Sequence, residues 1–353
     1  MAARTKSKNL PPRMYSKTGK KKRGGGEWIT YIHVCIDSVT KERTETTLGT
    51  DYEEALRKYE KLEREQATKV ATMKHAFDRY VAEVVPTKAP RTRKDTEWML
   101  KPLRKVFDKA PMDQVTPQIV AKYRDERSKT AVVRANREMA LLSTVWNYAR
   151  EWGYTEKENP CRGVRKNKET PRDFYADDQT WLAVYRQGCP ELQNAMDLAY
   201  LTGQRPTDVL GLKFTDVQNN ALHLQQDKTS KKLNILLTDQ DGERNQLGLV
   251  IDRILAEGGE SQSEYMICNT VGGALNTQTL RLRFNKAKAK AKAAAEDDQE
   301  LIEKINRFQF RDIRPKAASE LPLEHASALL GHTKEQITKK VYQRKGATVA
   351  PTK

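Results

Sequence analysis

The chain has 353 residues, long enough for two or three domains that each bury a core. Its 64 Lys and Arg against 47 Asp and Glu leave a formal charge of +17, which points to a polyanionic partner. No apolar run approaches the ~20 residues that span a bilayer and no secretory apolar stretch follows the first residues, so nucleic acid is favoured over a membrane surface.

Residues 1–66 open with a basic run that contains no acid: Arg4, Lys6, Lys8, Arg13 and Lys17, then Lys20, Lys21, Lys22 and Arg23 before three glycines. The last four are candidate DNA contacts. Period-two spacing of Trp28, Ile32, Val34 and Ile36 predicts a half-buried strand, and Arg43 to Leu48, closed by Gly49, predicts a second. Thr50 with Glu53 reads as a capping box, and Tyr52, Leu56, Tyr59 and Leu62 form the apolar stripe of a helix. A solvated tail that binds any polyanion is the plainer reading of the charge run. The sheet and helix that follow it favour a folded unit.

Residues 67–168 read as nearly all helix. Phe77, Tyr80, Val81 and Val84 precede Pro86, and Trp98, Leu103, Val106 and Phe107 suggest a second helix that Pro102 must bend or interrupt. Thr116-Pro117 begins a third, with Ile119, Val120 and Tyr123. Met139, Leu142, Val145, Trp146 and Ala149 define a long fourth, ending near Gly153. Arg91, Arg93, Lys94, Arg134 and Arg137 are the basic flanks from which DNA contacts would come. Between Cys161 and Pro171 the chain is basic and poor in apolar residues, as an exposed linker would be.

The last segment, 169–353, carries the chemistry. Arg205 lies between a helix ending at Thr202-Gly203 and one that Pro206 can begin, and the dipole of that second helix favours an anion. Asp208, three residues on, is placed to hold the guanidinium. Lys228 falls between two candidate strands, Leu222 to Gln226 and Leu233 to Leu237, and so rides a hairpin turn. Arg311 and Arg314, three apart, project to one side of a helix beginning near Asp312. His332 follows Gly331, which can cap the helix Leu323 to Leu330, and Thr333 with Gln336 can begin the next. Tyr342 ends the helix that holds Ile337 and Val341. Attack on a phosphodiester builds negative charge on the non-bridging oxygens and needs a nucleophile and a proton for the leaving oxygen. Arginines supply the first because their planar forks stay charged and bond phosphate in pairs. Lys286, Lys288, Lys290 and Lys292 alternate with alanines, which reads as a solvated helix.

The strings Thr202-Gly203-Gln204-Arg205-Pro206-Thr207-Asp208, Asp227-Lys228-Thr229, Arg311-Asp312-Ile313-Arg314, Leu330-Gly331-His332 and a late Tyr342, in that order, resemble the tyrosine recombinase family, and the whole chain resembles a phage integrase of the lambda type. The resemblance implies a multidomain fold: a small α+β N-terminal arm-binding domain (1–66), an all-α core-binding domain with linker (67–168), and a mixed, mainly-α catalytic domain with a small antiparallel sheet (169–353). Asn9-Leu10-Pro11-Pro12-Arg13-Met14-Tyr15 and Thr47-Leu48-Gly49 carry it in the first of these.

It further implies that Tyr342 attacks the phosphate, that Arg205 and Arg314 clamp it, that His332 bonds a non-bridging oxygen and that Lys228, rather than Lys231 or Lys232, protonates the leaving 5′ oxygen. The family pattern is His-x-x-Arg, and this chain has Arg311 where the histidine stands. A guanidinium is a very poor base, so Arg311 is expected to act electrostatically on the tyrosine.

The expected activity is site-specific recombination through a 3′-phosphotyrosine, integrating and excising a phage or similar element. The phosphotyrosine conserves the bond energy, so no ATP, metal or other cofactor is expected, and no P-loop is visible. Cys35, Cys161, Cys189 and Cys268 form no C-x-x-C pair, which argues against structural zinc and for a reducing, cytoplasmic setting. Implied partners are double-stranded DNA at core-type and arm-type sites, three further copies in a tetramer on paired sites, a host DNA-bending protein and an excision directionality factor. Two other readings stay open. A type IB topoisomerase shares the chemistry but religates the same strand, and a catalytically silent DNA-binding protein would keep the fold alone.

Overall fold

The computed structural model describes residues 4–5, 10–20, 27–36, 43–258, 263–346 and 351–352. The chain divides into two units, Met1–Thr170 and Pro171–Lys353.

The first unit begins with an antiparallel sheet in the order β1 (Arg4–Thr5), β2 (Met14–Lys20), β3 (Glu27–Ile36), β4 (Arg43–Gly49). Of the basic run that reads as a tail, Met14–Lys20 is instead strand β2, paired along its whole length with β3 from Met14 opposite His33 to Lys20 opposite Glu27. Within it Gly19 faces Trp28 closely, and an added Cβ would sit 2.7 Å from the Trp28 ring. Lys20 ends that strand, while Lys21, Lys22 and Arg23 lie outside the described residues. Helix α1 (Tyr52–Val70) starts one residue later than the capping-box reading places it. Asp51, not Thr50, caps it, its Oδ1 accepting from the Glu54 N–H at 2.9 Å. Met14, Leu48 and Ala55 form the small core, and Tyr52 is exposed. His33 is buried against the Glu63 carboxylate at 2.6 Å, a structural role.

A second core in this unit is built by α2 (Met73–Arg79), α3 (Pro90–Phe107) and α4 (Pro117–Glu151), around Phe77, Tyr80, Leu103, Phe107, Leu142 and Trp146. Helix α3 runs unbroken through Pro102. Its buried face is Thr96, Leu100, Leu103 and Phe107, so Trp98 and Val106, expected inside, are 65% and 55% exposed. The third and fourth expected helices form one assigned element, α4, broken at Ala131, where φ is −156° and ψ 73°. Its two limbs are joined by the buried Glu138 carboxylate, which accepts from Tyr123 Oη at 2.7 Å and from both Nε and Nη2 of Arg127 at 2.9 and 3.0 Å. Burial and the adjacent carboxylate raise the Tyr123 phenol well above its usual range. Asn136 holds the following linker through Asn167 and Glu169.

In the second unit helices α5 (Asp178–Tyr185), α6 (Pro190–Thr202) and α7 (Pro206–Leu210) precede a three-stranded antiparallel sheet, β5 (Val217–Gln218), β6 (Ala221–Gln225) and β7 (Lys232–Leu236). Then come α8 (Gln246–Gly258), α9 (Thr277–Ala294), α10 (Gln299–Arg307), α11 (Ile313–Ser319), α12 (Leu323–Leu330) and α13 (Glu335–Ile337), which passes into a π turn at Thr338–Tyr342. Leu192, Met196, Leu222, Ile251, Phe284, Phe308 and Ile313 lie in the main core. A smaller cluster of Ala318, Ala326 and Leu330 packs against Tyr342. No helix among the described residues is long and apolar enough to cross a membrane.

Candidate active site

Arg205 is the N-cap residue of α7, its backbone extended (φ −72°, ψ 155°) after Gly203, whose φ of +63° ends α6. Nη1 of Arg205 donates to Gln226 Oε1 at 3.3 Å. Asp208 stands 3.7 Å from the same nitrogen, a Coulombic contact only, and its hydrogen bond goes elsewhere, from the Asp227 N–H to Oδ1 at 3.0 Å. Asp208 therefore joins the Arg205 loop to the turn that carries Lys228.

That turn links β6 to β7 one residue earlier on each side than the sequence suggests. Lys228 is exposed on it and forms no hydrogen bond or ion pair among the described residues. It is not among the residues lining the cleft described next.

A cleft of about 840 Å³ is lined by Arg205, Arg311, Arg314 and Tyr342 together with Arg281, Asn285 and Lys288 of α9. Arg314 is 4% exposed. Its Nη1 donates to Gly203 O at 2.5 Å and its Nη2 to Leu330 O at 2.9 Å and His332 Nε2 at 3.3 Å. Its Nε is buried without a partner among the described residues. Burial, with the like charge of Arg205 beside it, pushes its pKa down to about 10, so it stays charged at neutral pH. Arg311, one turn earlier, is exposed and without a partner among the described residues. Between them Asp312 is fully buried and accepts from Arg172 Nε at 2.8 Å, Arg344 Nη1 at 3.1 Å and the Gln309 N–H at 2.9 Å. Lys316, also buried, ties α11 to Asp178 and Glu320 at 2.5 and 2.7 Å.

His332 follows Gly331, the left-handed C-cap of α12 at φ +68°. The next helix begins at Glu335 with Lys334 extended before it, so Thr333 is not its cap. His332 Nδ1 lies 2.8 Å from Thr338 Oγ1. Because a guanidinium only donates, Nε2 must accept from Arg314 and Nδ1 must carry the proton. Burial, then the charges of Arg314 and Arg205, push the imidazole pKa down to about 4, so it is neutral at pH 7. Its ring centroid is 4.9 Å from that of Tyr342, and the Arg314 guanidinium carbon is 5.2 Å from the same ring. Tyr342 is half-buried at the end of the π turn. The segment after it is tied down by Arg344, which donates to Phe174 O at 3.0 Å as well as to Asp312, and by Ser319.

The fold thus groups Arg205, Arg311, Arg314, His332 and Tyr342, with Asp208 beside Arg205 and Lys228 on a neighbouring turn. Gln226, Lys288 and Arg344 are not legible in the sequence as parts of the site. Lys288 belongs to the alternating lysine stretch, yet its Nζ bonds Asn306 O and Phe308 O at 2.9 and 2.7 Å and lines the cleft. Arg91, Arg93, Lys94, Arg134 and Arg137 are all exposed in the first unit.

Residues 184–348 match the model of the phage integrase family. The integrase of Escherichia phage HK022 is 25% identical over 262 residues, 73% of this chain and 71% of the relative. The integrase of Enterobacteria phage 434 is 25% identical over 259 residues, 70% of this chain and 68% of the relative. Among solved structures, a lambda integrase tetramer bound to a Holliday junction matches with a TM-score of 0.67 at 20% identity, covering 99% of both chains. A Tn1549 transposon integrase in complex with transposon right end DNA matches with a TM-score of 0.62 at 13% identity, covering 79% of this chain and 96% of that one.

Proposed function

We propose that this chain, which has the lambda integrase fold and matches the phage integrase family over residues 184–348, is a tyrosine recombinase of the lambda integrase type that integrates and excises a phage or similar element by cutting and rejoining DNA through Tyr342. The observation that carries this reading is the grouping of Tyr342 with three arginines around one cleft, with the His332 ring against that of the tyrosine. Arg205 and Arg314 hold the non-bridging oxygens of the scissile phosphate, Arg311 acts electrostatically on the tyrosine, and the unpartnered Nε of Arg314 is a donor left for the anion. Tyr342 Oη bonds to phosphorus, the P–O5′ bond breaks, and Lys228 gives a proton to the leaving oxygen. Arg311 cannot take the tyrosine proton, whereas the unprotonated Nε2 of His332, beside the tyrosine ring, can take it by giving up the bond it accepts from Arg314. Having accepted that proton, the same Nε2–H can bond a non-bridging oxygen. A 5′-hydroxyl from a partner duplex then attacks the phosphotyrosine, and two such rounds pass through a four-way junction.

On this reading residues 1–66 bind arm-type sites, 67–168 bind the core site, and 169–353 do the chemistry. Four copies act on two paired sites in a bacterial cytoplasm, and a DNA-bending protein and a directionality factor assist. The exposed side of α3, with Arg91, Lys94, Trp98, Lys101 and Lys105 at helical spacing, suits a DNA face.

The test is a labelled duplex nicked so that the cleaved 5′ fragment diffuses away, run on a denaturing gel. A protein–DNA band that is lost in Tyr342→Phe is expected. Tight binding without a band on any candidate site would overturn the reading in favour of a silent DNA-binding protein. Relaxation of supercoils without site dependence would favour a topoisomerase.

A further inference from the structure

We infer that Gln226 is a positioning residue that sets the lysine-bearing turn in register with Arg205, an inference that rests on the recombinase reading above. Gln226 is 1% exposed, and both ends of its amide are fully engaged. Oε1 accepts from Arg205 Nη1 at 3.3 Å and from Thr229 Oγ1 at 2.6 Å. Nε2 donates to Gln204 Oε1 at 2.7 Å and to Leu330 O at 2.9 Å, the carbonyl that also receives Arg314 Nη2.

Its main chain closes the turn as well, with the N–H donating to Lys231 O at 2.9 Å and the carbonyl accepting from the Ser230 N–H at 2.8 Å. It packs on the bend before His332, where a Cβ added to Gly331 would meet Nε2 at 3.0 Å. One side chain therefore touches the segments that carry Arg205, Lys228 and His332.

The chemistry requires an amide. A carboxylate at this place would accept from Arg205 and Thr229 but could not donate to Gln204 or Leu330, and an apolar side chain would do neither. Lys228 has no side-chain partner of its own among the described residues, so the backbone of the turn is what aims it. Gln226 on one side, with Asp208 holding the Asp227 N–H on the other, fixes that backbone. Misplacing a reacting group by about 1 Å can cost roughly a hundredfold in rate, so the register matters more than the affinity.

The experiment measures covalent-complex formation on nicked duplexes with oxygen or sulfur as the bridging 5′ atom. A thiolate leaves without needing a proton, so sulfur bypasses the proton donor. Gln226→Met is expected to react about 30-fold more slowly on the oxygen substrate at unchanged DNA affinity, and to regain at least about tenfold on sulfur. Thr229→Val removes only the link from the exposed turn residue to Gln226 and is expected to lose about threefold on oxygen and nothing on sulfur.

Parental rates in both variants, or equal losses on the two substrates, overturn the inference; if Gln226→Met unfolds, Thr229→Val decides it alone. Lys228→Ala separates this failure from a deeper one. If sulfur does not rescue it, or the parent protein forms no covalent complex, the assignment of Lys228 within the recombinase reading falls, and this inference with it.

Discussion

Arg314 and Arg311 lie one helical turn apart and line the same cleft, yet their surroundings are opposite. Arg314 is buried and donates to two carbonyls and an imidazole, so its orientation is set before any anion arrives. Arg311 is exposed and makes no hydrogen bond or ion pair among the described residues. Lys228 shares the free condition of Arg311, and Arg205 lies between the extremes with one weak hydrogen bond and a distant carboxylate. On the proposed recombinase reading the contrast separates two tasks. Charge that must be stabilised as the transition state forms is met by a group already oriented, because a fixed donor loses nothing to reorganisation. A group that only approaches or delivers a proton can remain mobile.

The largest expected effect is at the fixed end. Arg314→Ala should slow covalent-complex formation by about a thousandfold. It should also lower the melting temperature, because Gly203 O loses its donor and Leu330 O keeps only Gln226 Nε2, at a cost of about 1–3 kcal/mol. Arg311→Ala should lose less activity and leave the melting temperature unchanged. Equal thermal effects in the two variants would break the comparison. His332 sharpens it next. Its folded pKa of about 4 lies below the ordinary 6.5, so the protein binds fewer protons there than the unfolded chain. Its share of stability is therefore present above pH 6.5 and lost as the pH falls toward 4. An imidazole NMR titration should show the His332 resonance unchanged from pH 8 to 6, with a midpoint that rises when DNA phosphate offsets Arg314 and Arg205. An ordinary midpoint in the free protein would show that neither burial nor the two arginines bear on it.

Those parts of the site that a linear string encodes are legible in the sequence. Arg205 before a helix-starting proline, Arg314 in its Arg-x-x-Arg pair, His332 after a capping glycine and Tyr342 are each fixed by neighbours along the chain. Gln226 is not, because its Arg205 and Leu330 partners lie 21 and 104 positions away, and a polar residue at the end of a strand reads as turn. Asp312 reads only as a helix start, though it binds Arg172 and Arg344 from distant segments. The fold escapes a linear reading for related reasons. Strand β2 is hidden because its lysines read as tail, while the partner that orders it is β3. Trp98 reads as interior because it is large and apolar. Helical geometry instead gives the inner face to Thr96, Leu100, Leu103 and Phe107, and pairs Trp98 with Lys101, whose Nζ is 4.3 Å from the ring centroid.

Arg344 tests whether the proposed nucleophile, Tyr342, also belongs to the fixed class. Two residues after Tyr342, it bonds Asp312 and Phe174 O and takes the Ser319 hydroxyl on its own N–H at 2.7 Å. Arg344→Ala should slow cleavage about tenfold without altering DNA affinity, since it frees the chain that presents the tyrosine rather than a DNA contact. Arg344→Lys keeps the charge but not the planar fork, so it should recover only part of the loss. Full activity in the alanine variant would place Tyr342 with the mobile groups.

The smallest effects belong to the outer side of α3, where Arg91, Lys94, Lys101 and Lys105 are all exposed. Lys94→Ala and Lys105→Ala should leave folding untouched and weaken DNA binding a few-fold, each reducing the slope of log affinity against log salt by about 0.9 if it neutralises one phosphate. Trp98→Ala should differ in kind. An exposed ring packed against the duplex carries no charge, so affinity should drop at every salt concentration with the slope unchanged. Fluorescence anisotropy with a labelled core-site duplex across a salt series reads both quantities at once. A Trp98→Ala protein that binds DNA normally but melts lower would return the ring to a packing role. That would leave the basic stripe as a purely electrostatic surface, the limiting case of the mobile class to which Arg311 belongs.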